Sequence, residues 1–300
     1  MNTLNTLPNT PCHLNGLTLP LNEAKVSVLD RGFIFGDGIY EVAPVYQGKL
    51  FRFEQHMARM ARSLAELRIP NPHTEAGWRA LIQDLLQQHA QSLGQSVNDL
   101  NQIVYIQITR GVAPRDHAMP AGLTPTVFVM VNEMKPIAAK DRDNGVACIS
   151  AEDFRWEKAH IKSTSLLGAV FSRQISADVG ALETVMFRHG FLSEAAASNV
   201  WVVKNGQVFG PTKNHLVLEG IRYGLIEDIC AQQGIYFALR PIARSEVFDA
   251  DELMLSSATK EVLAITTLDG QAVGHGATAG KTGPVYQRIF QAYQIAKKAA

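Results

Sequence analysis

The chain has 300 residues, 46% hydrophobic and 19% charged, a globular balance that excludes a disordered or fibrous protein. Its length is about twice that of a common single domain, so two domains are expected. With 28 Lys+Arg against 28 Asp+Glu there is no basic field to attract nucleic acid, and no apolar run approaches the ~18 residues of a membrane span.

Cys12, Cys148 and Cys230 are odd in number and far apart, which argues against a disulfide framework or a clustered zinc site; no metal is expected. The first basic residue is Lys25, and Pro8, Pro11 and Pro20 interrupt the segment before it. No secretory signal is read there, and a cytoplasmic location is expected.

In chain order, the first ten residues read as a loose arm, followed by short strands at 14–17 and 25–29. The β-rich runs 41–46 and 49–53 flank Gln47-Gly48 and predict a hairpin. The period then changes. Phe53, Met57, Met60, Ala61, Leu64 and Leu67 recur at three and four residues, one face of a helix that ends before Pro70. Trp78, Leu81, Ile82, Leu85 and Leu86 predict a second helix. Strands follow at 102–109 and 126–131, joined by a loop holding Gly111, Pro114, Pro120 and Gly122. Residues 1–134 therefore read as an α+β domain, 135–139 as a linker and 140–300 as a second domain. Within the second, strands are expected at 146–152, 184–188, 199–203, 207–210, 252–255 and 262–268, and helices at 166–179, 221–233 and 285–298. Asn205-Gly206 is the strongest hairpin signal.

The chain carries no G-x-x-x-x-G-K-[ST], G-x-S-x-G or H-E-x-x-H pattern. What remains is isolated polar residues. Lys162 precedes an apolar stretch and could form a Schiff base, or it is one more lysine on a rim. Glu194 lies between an apolar strand end and small residues, a place for a carboxylate with a cationic partner or for a helix cap. Arg59 on the first helix could clamp an anion or face solvent; Gly220-Ile221 begins a helix whose free N–H groups could do the same. Arg115 and His117 could hold a carboxylate together or be loop charges. His56 and Asp37 ask for nothing beyond a tight glycine-rich loop.

The order and wording of these pieces resemble one family. DRGFIFGDGIYE, QHMARM, ITRGVAPRDH, HIKSTSLLGAV, SEAAASNVW and VLEGI run in sequence as in the class IV, fold type IV, pyridoxal-phosphate aminotransferases, and within them most resemble the D-amino acid (D-alanine) aminotransferases. The likeness spans about residues 14–270. It implies an α+β fold of two domains: a small N-terminal α/β sandwich and a larger, β-barrel-like C-terminal domain with flanking helices.

The same resemblance implies site roles. Lys162 corresponds to the lysine that carries pyridoxal 5'-phosphate and moves the substrate proton, and Glu194 to the carboxylate facing the pyridine nitrogen. Arg59 and the N–H groups at Ile221 correspond to the phosphate site. There the chain departs from the family pattern: Arg222 stands where Thr is common, and beside Ser257 the expected hydroxyl falls on Ala258. Arg115 and His117 match a Pro-Arg-x-His carboxylate trap, with Phe33 at the position assigned to the trap's tyrosine. The implied partners are an amino acid, a 2-oxo acid such as 2-oxoglutarate and a second copy of the chain in a homodimer, with neither nucleic acid nor membrane. The alternatives are a branched-chain or (R)-amine transaminase, a class IV lyase, or a cofactor-binding protein of little turnover.

Overall fold

The computed structural model describes residues 8–299, so the arm expected over the first ten residues falls mostly outside the described residues. The chain forms two compact units: one runs to Lys135 and includes Ile161–Leu166, and the other comprises Pro136–His160 and Leu167–Ala299. The short return of Ile161–Leu166 to the first unit is not visible in any linear reading of the chain.

In the first unit, β1 (Pro11–Leu14) and β2 (Leu17–Pro20) form a hairpin across Asn15-Gly16, whose φ angles of 50° and 89° lie in the left-handed region. Residues 14–17 are thus a turn with its two flanking residues rather than one strand. The strand expected at 25–29 does not form: β1 is already paired on both sides, and Val26 and Val28 stay exposed. After α1 (Arg31–Phe35) come β3 (Gly38–Tyr46) and β4 (Lys49–Leu50), joined at Gln47-Gly48. β4 is shorter than expected because Arg52 takes a left-handed φ of 55° and starts a helix.

That helix is α2 (Phe53–Glu66), followed by α3 (Glu75–Ser92), β5 (Asn101–Thr109) and β6 (Thr126–Glu133). The strands make one antiparallel sheet in the order β2-β1-β6-β5-β3-β4. Alternation along it is clean: Ile39, Val104, Ile106, Ile108, Val127 and Val129 form the core with Phe53, Met57, Met60, Trp78 and Ile82 of the two helices. Each fully buried large side chain there contributes about 1.5–3 kcal/mol. The opposite face of the sheet carries Tyr40, Tyr105 and Phe128, which lie ring to ring. Ile161–Leu166 joins this unit at Gly38–Tyr40, through a Tyr40 N–H bond to Lys162 C=O at 3.0 Å and a Thr164 N–H bond to Gly38 C=O at 2.9 Å.

The second unit contains α4 (Ala139–Asn144), which begins at the last residue of the expected linker, then β7 (Val146–Glu152), α5 (Leu167–Asp178), β8 (Glu183–Arg188), β9 (Phe191–Ala195), β10 (Asn199–Lys204) and β11 (Gln207–Gly210). It continues with α6 (Arg222–Gln232), β12 (Phe237–Leu239), α7 (Arg244–Phe248), β13 (Glu252–Ser257), β14 (Glu261–Leu268), β15 (Gln271–Ala272) and α8 (Pro284–Lys298). The strand path is β12-β11-β10-β13-β14-β7-β8-β9, with β15 beside β14.

β9 ends that path, yet it runs straight into β10 through a turn closed by Ala195 N–H to Ser198 C=O at 2.7 Å. The sheet must therefore curl, as expected of a barrel-like domain. Val185, Phe187, Val200, Val202, Leu253, Leu255 and Leu263 fill its core. The Asn205-Gly206 hairpin forms as expected, pairing Lys204 with Gln207.

Candidate active site

In the first unit, Lys162 is held through its backbone. Its N–H donates to Ser63 Oγ of α2 at 3.2 Å and its carbonyl accepts from Tyr40, while Thr164 Oγ1 donates to Gly36 C=O at 2.9 Å. Gly36 is required there: its φ is 65°, and a Cβ would lie 2.7 Å from Ser165 Oγ. The Lys162 Nζ lies 4.0 Å from the Tyr40 ring centroid, and among the described residues it has no carboxylate partner. Among the same residues the Tyr40 hydroxyl has no hydrogen-bond partner. A ring beneath an amine attracts its charge without occupying its protons.

On the other side of β3, Glu41 is fully buried and meets the α2 residues Arg59 and His56. Arg59 donates from Nε at 2.7 Å and Nη2 at 2.8 Å, one to each carboxylate oxygen, and His56 Nδ1 lies 2.9 Å from Oε2. Burial alone would push the Glu41 carboxyl up; the charge and hydrogen bonds of Arg59, with those of His56, outweigh it and hold the group far below the usual carboxylate range. Arg59 is therefore a fixed guanidinium rather than a mobile surface one.

Arg115 and His117 lie in the loop from β5 to β6 and come together around Phe35. The Arg115 guanidinium carbon and the His117 ring are each 5.4 Å from the Phe35 ring centroid. Phe33, the third residue expected with them, is 71% exposed on α1 and packs on no ring or cation among the described residues. Asp37 is held by two arginines, by Arg31 Nε at 2.7 Å and by both Nε and Nη2 of Arg110.

In the second unit Glu194 is buried on β9. Arg155 Nη1 donates to its Oε1 at 2.7 Å, while Oε2 accepts from Asn199 Nδ2 at 3.2 Å and from the Leu218 N–H at 3.3 Å. Arg155 is itself gripped by Asp153 at 2.8 and 2.9 Å. Burial pushes the Glu194 carboxyl up, against the pull of Arg155. Asn199 also donates to Leu218 C=O at 3.0 Å, and Gly220 packs so closely on it that a Cβ would lie 2.0 Å from Asn199 Oδ1. This close packing fixes the entry to α6. Ile221 is the N-cap of that helix and Arg222 its first residue; the Arg222 guanidinium is buried 5.7 Å from the Tyr293 ring of α8.

Ser257 and Ala258 sit in the β13–β14 turn, where Ser257 Oγ accepts from the Lys260 N–H at 3.0 Å. The Lys260 ammonium donates at 2.9 Å to the buried Glu183, which also accepts from Ser198 Oγ at 3.0 Å and Ala197 N–H at 3.2 Å. One ion pair thus ties the β9–β10 turn to the β13–β14 turn. Sequence reasoning did not single out Tyr40, Glu41, Arg155, Glu183 or Lys260. The only local signal was a charge inside an otherwise apolar strand at Glu41 and Glu183.

Taken unit by unit, the donor chemistry suits pyridoxal phosphate: in the first, an amine with no ion partner among the described residues and a fixed guanidinium; in the second, a buried carboxylate backed by an arginine and a helix N-terminus. Residues 38–268 match the family described as amino-transferase class IV. The chain is 35% identical over 285 residues to a D-alanine aminotransferase of Bacillus licheniformis, covering 93% of this chain and 94% of that one. Its fold is similar to that of the Escherichia coli branched-chain amino acid aminotransferase, with a TM-score of 0.81 at 21% identity over 95% of this chain and 93% of the other. A hypothetical aminotransferase from Mycobacterium tuberculosis, solved in a PLP-bound form, is similar with a TM-score of 0.81 at 19% identity over 97% and 99% of the two chains.

The chain belongs to the class IV aminotransferases. It is a pyridoxal-phosphate-dependent aminotransferase of fold type IV.

Proposed function

We propose that this enzyme moves the amino group of a D-amino acid of the D-alanine type to a 2-oxo acid such as 2-oxoglutarate. The observation that carries the reading is the Arg115 and His117 pair gathered on Phe35, a two-donor fork for an α-carboxylate, in a chain 35% identical to a D-alanine aminotransferase.

When bound, pyridoxal phosphate supplies an electron sink that acidifies the substrate Cα–H. Lys162 Nζ takes that proton and returns it, a role suited to an amine with no ion pair to break. Glu194, backed by Arg155 at 2.7 Å, would be the carboxylate that faces the cofactor nitrogen. Arg59 would bind the phosphate through its guanidinium and Ile221 through the N–H groups of its helix start; Ser257 would add a hydroxyl, while Ala258 offers only its backbone. Arg222, directed to Tyr293, acts through its N–H rather than its guanidinium. Arg115 and His117 orient the substrate carboxylate. Phe33 adds no donor.

A homodimer fits the surface of the first unit. Val28, Leu29, Phe33, Val112 and Met119 are all exposed, and their segments adjoin through Arg31 N–H to Gly111 C=O at 2.9 Å and Ala113 N–H to Leu29 C=O at 3.3 Å. Exposed apolar side chains on adjoining segments favour burial against a partner. No helix among the described residues is long and apolar enough to cross a membrane. Its three cysteines are free and buried, and we place it in the cytoplasm.

Steady-state assays with D- and L-amino acids against 2-oxoglutarate test the reading. D-alanine with 2-oxoglutarate is expected to give pyruvate. Turnover of L-leucine or an (R)-amine without turnover of D-alanine would instead support a branched-chain or amine transaminase, and binding of the cofactor without turnover of any amine would support a mere binder.

A further inference from the structure

We propose that Phe35 is a positioning residue for the Arg115 and His117 pair, with Arg31 as its brace; the proposal rests on the reading of that pair as carboxylate donors. Arg115, Asp116 and His117 are exposed in a loop, where unanchored side chains would sample many geometries. A carboxylate fork works only when its donors are held close to one geometry before the ligand arrives.

Two contacts supply that restraint. The first is the Phe35 ring, half-buried at the end of α1, which lies 5.4 Å from both the Arg115 guanidinium carbon and the His117 ring. Since both donors rest on one ring, their spacing is set by it. The ring's negative face favours the guanidinium without consuming the N–H groups that a carboxylate needs. The second is Arg31, which is buried. Its Nη1 donates to the Asp116 C=O at 2.6 Å, the backbone group between the two donors, while its Nε donates to Asp37 at 2.7 Å. Its guanidinium carbon is also 4.8 Å from the Phe35 centroid. Asp37 is fixed in turn by Arg110. The loop is thereby tied to a buried ion cluster at the one peptide that governs both side chains.

The prediction concerns carboxylate recognition rather than chemistry, and steady-state kinetics of the holoenzyme with D-alanine and 2-oxoglutarate test it. Phe35→Leu is expected to raise KM for D-alanine about 5- to 10-fold and to leave kcat within about twofold. Phe35→Tyr, which keeps the ring, stays within about twofold of the parent in both. Arg31→Lys holds a charge against Asp37 but loses the second arm to Asp116, and gives the same split; it carries the test if Phe35→Leu does not accumulate. The visible absorption of bound cofactor shows that each variant is folded.

An unchanged KM in Phe35→Leu and Arg31→Lys overturns the proposal, and so does a Phe35→Tyr variant as impaired as Phe35→Leu. Arg115→Ala separates the two levels. If its KM does not move, the carboxylate reading has failed; if its KM rises while that of Phe35→Leu does not, only the positioning role has.

Discussion

The Lys162 ammonium rests 4.0 Å from the centroid of the Tyr40 ring, on the strand that also receives the Lys162 backbone. The lysine and its aromatic seat are thus set by one stretch of antiparallel pairing, and the amine is oriented without an ion pair. Tyr40→Leu removes the seat, worth about 0.5–2 kcal/mol, and should lower kcat roughly 2- to 30-fold, while Tyr40→Phe keeps the ring and should retain more of the rate. Stopped-flow measurement of the first half-reaction checks the order of the two variants.

Lys162→Ala should lose the covalent attachment and its visible absorption, and turnover should fall by roughly 10³-fold or more. A variant that turns over at the parent rate would contradict the assignment of Lys162.

Arg155→Met should leave Glu194 buried without a cation. Breaking a buried pair in this way costs about 3–5 kcal/mol, which urea denaturation would report. Burial already pushes the Glu194 carboxyl up, and loss of Arg155 pushes it further, so the charged form is disfavoured and kcat should fall. Adding Glu194→Gln should recover part of the stability and none of the activity.

Glu41 gives the first unit an acid sensitivity. Its folded-state carboxyl lies far below the ordinary value of 4.5, so the stabilisation is fully present above that value and is lost as pH falls beneath it. Glu41→Gln should cost about 3 kcal/mol or more at pH 7 by stranding Arg59, and should flatten the fall in stability between about pH 4.5 and pH 3. Urea midpoints at several pH values would show this; parallel curves for parent and variant would contradict it.

Local periodicity made most of this architecture legible. The stripe from Phe53 to Leu64 is α2, and Asn205-Gly206 is the β10–β11 turn. The equivalent Asn15-Gly16 turn was missed because its flanking strands have only four residues each, too short for alternation to register. β9 and α4 were missed for a similar reason, since an apolar strand end and a six-residue helix carry little period. Of the proposed site residues, Lys162, Glu194, Arg59, Arg115 and His117 were read from the order of motifs. Their supports were not, because these are tertiary pairings: Arg155 meets Glu194 across 39 residues of sequence and Arg59 meets Glu41 across 18. Phe35 carries no signal of its own in the sequence; its contact with Arg115 is set by the fold, across 80 residues of chain.

A single turnover separates a D-amino acid transaminase from its rivals. Holoenzyme mixed with D-alanine and no oxo acid should release one pyruvate per bound cofactor as its visible absorption shifts, while L-alanine leaves the absorption unchanged. Pyruvate from L-alanine alone, or an unchanged spectrum with D-alanine, would contradict the account.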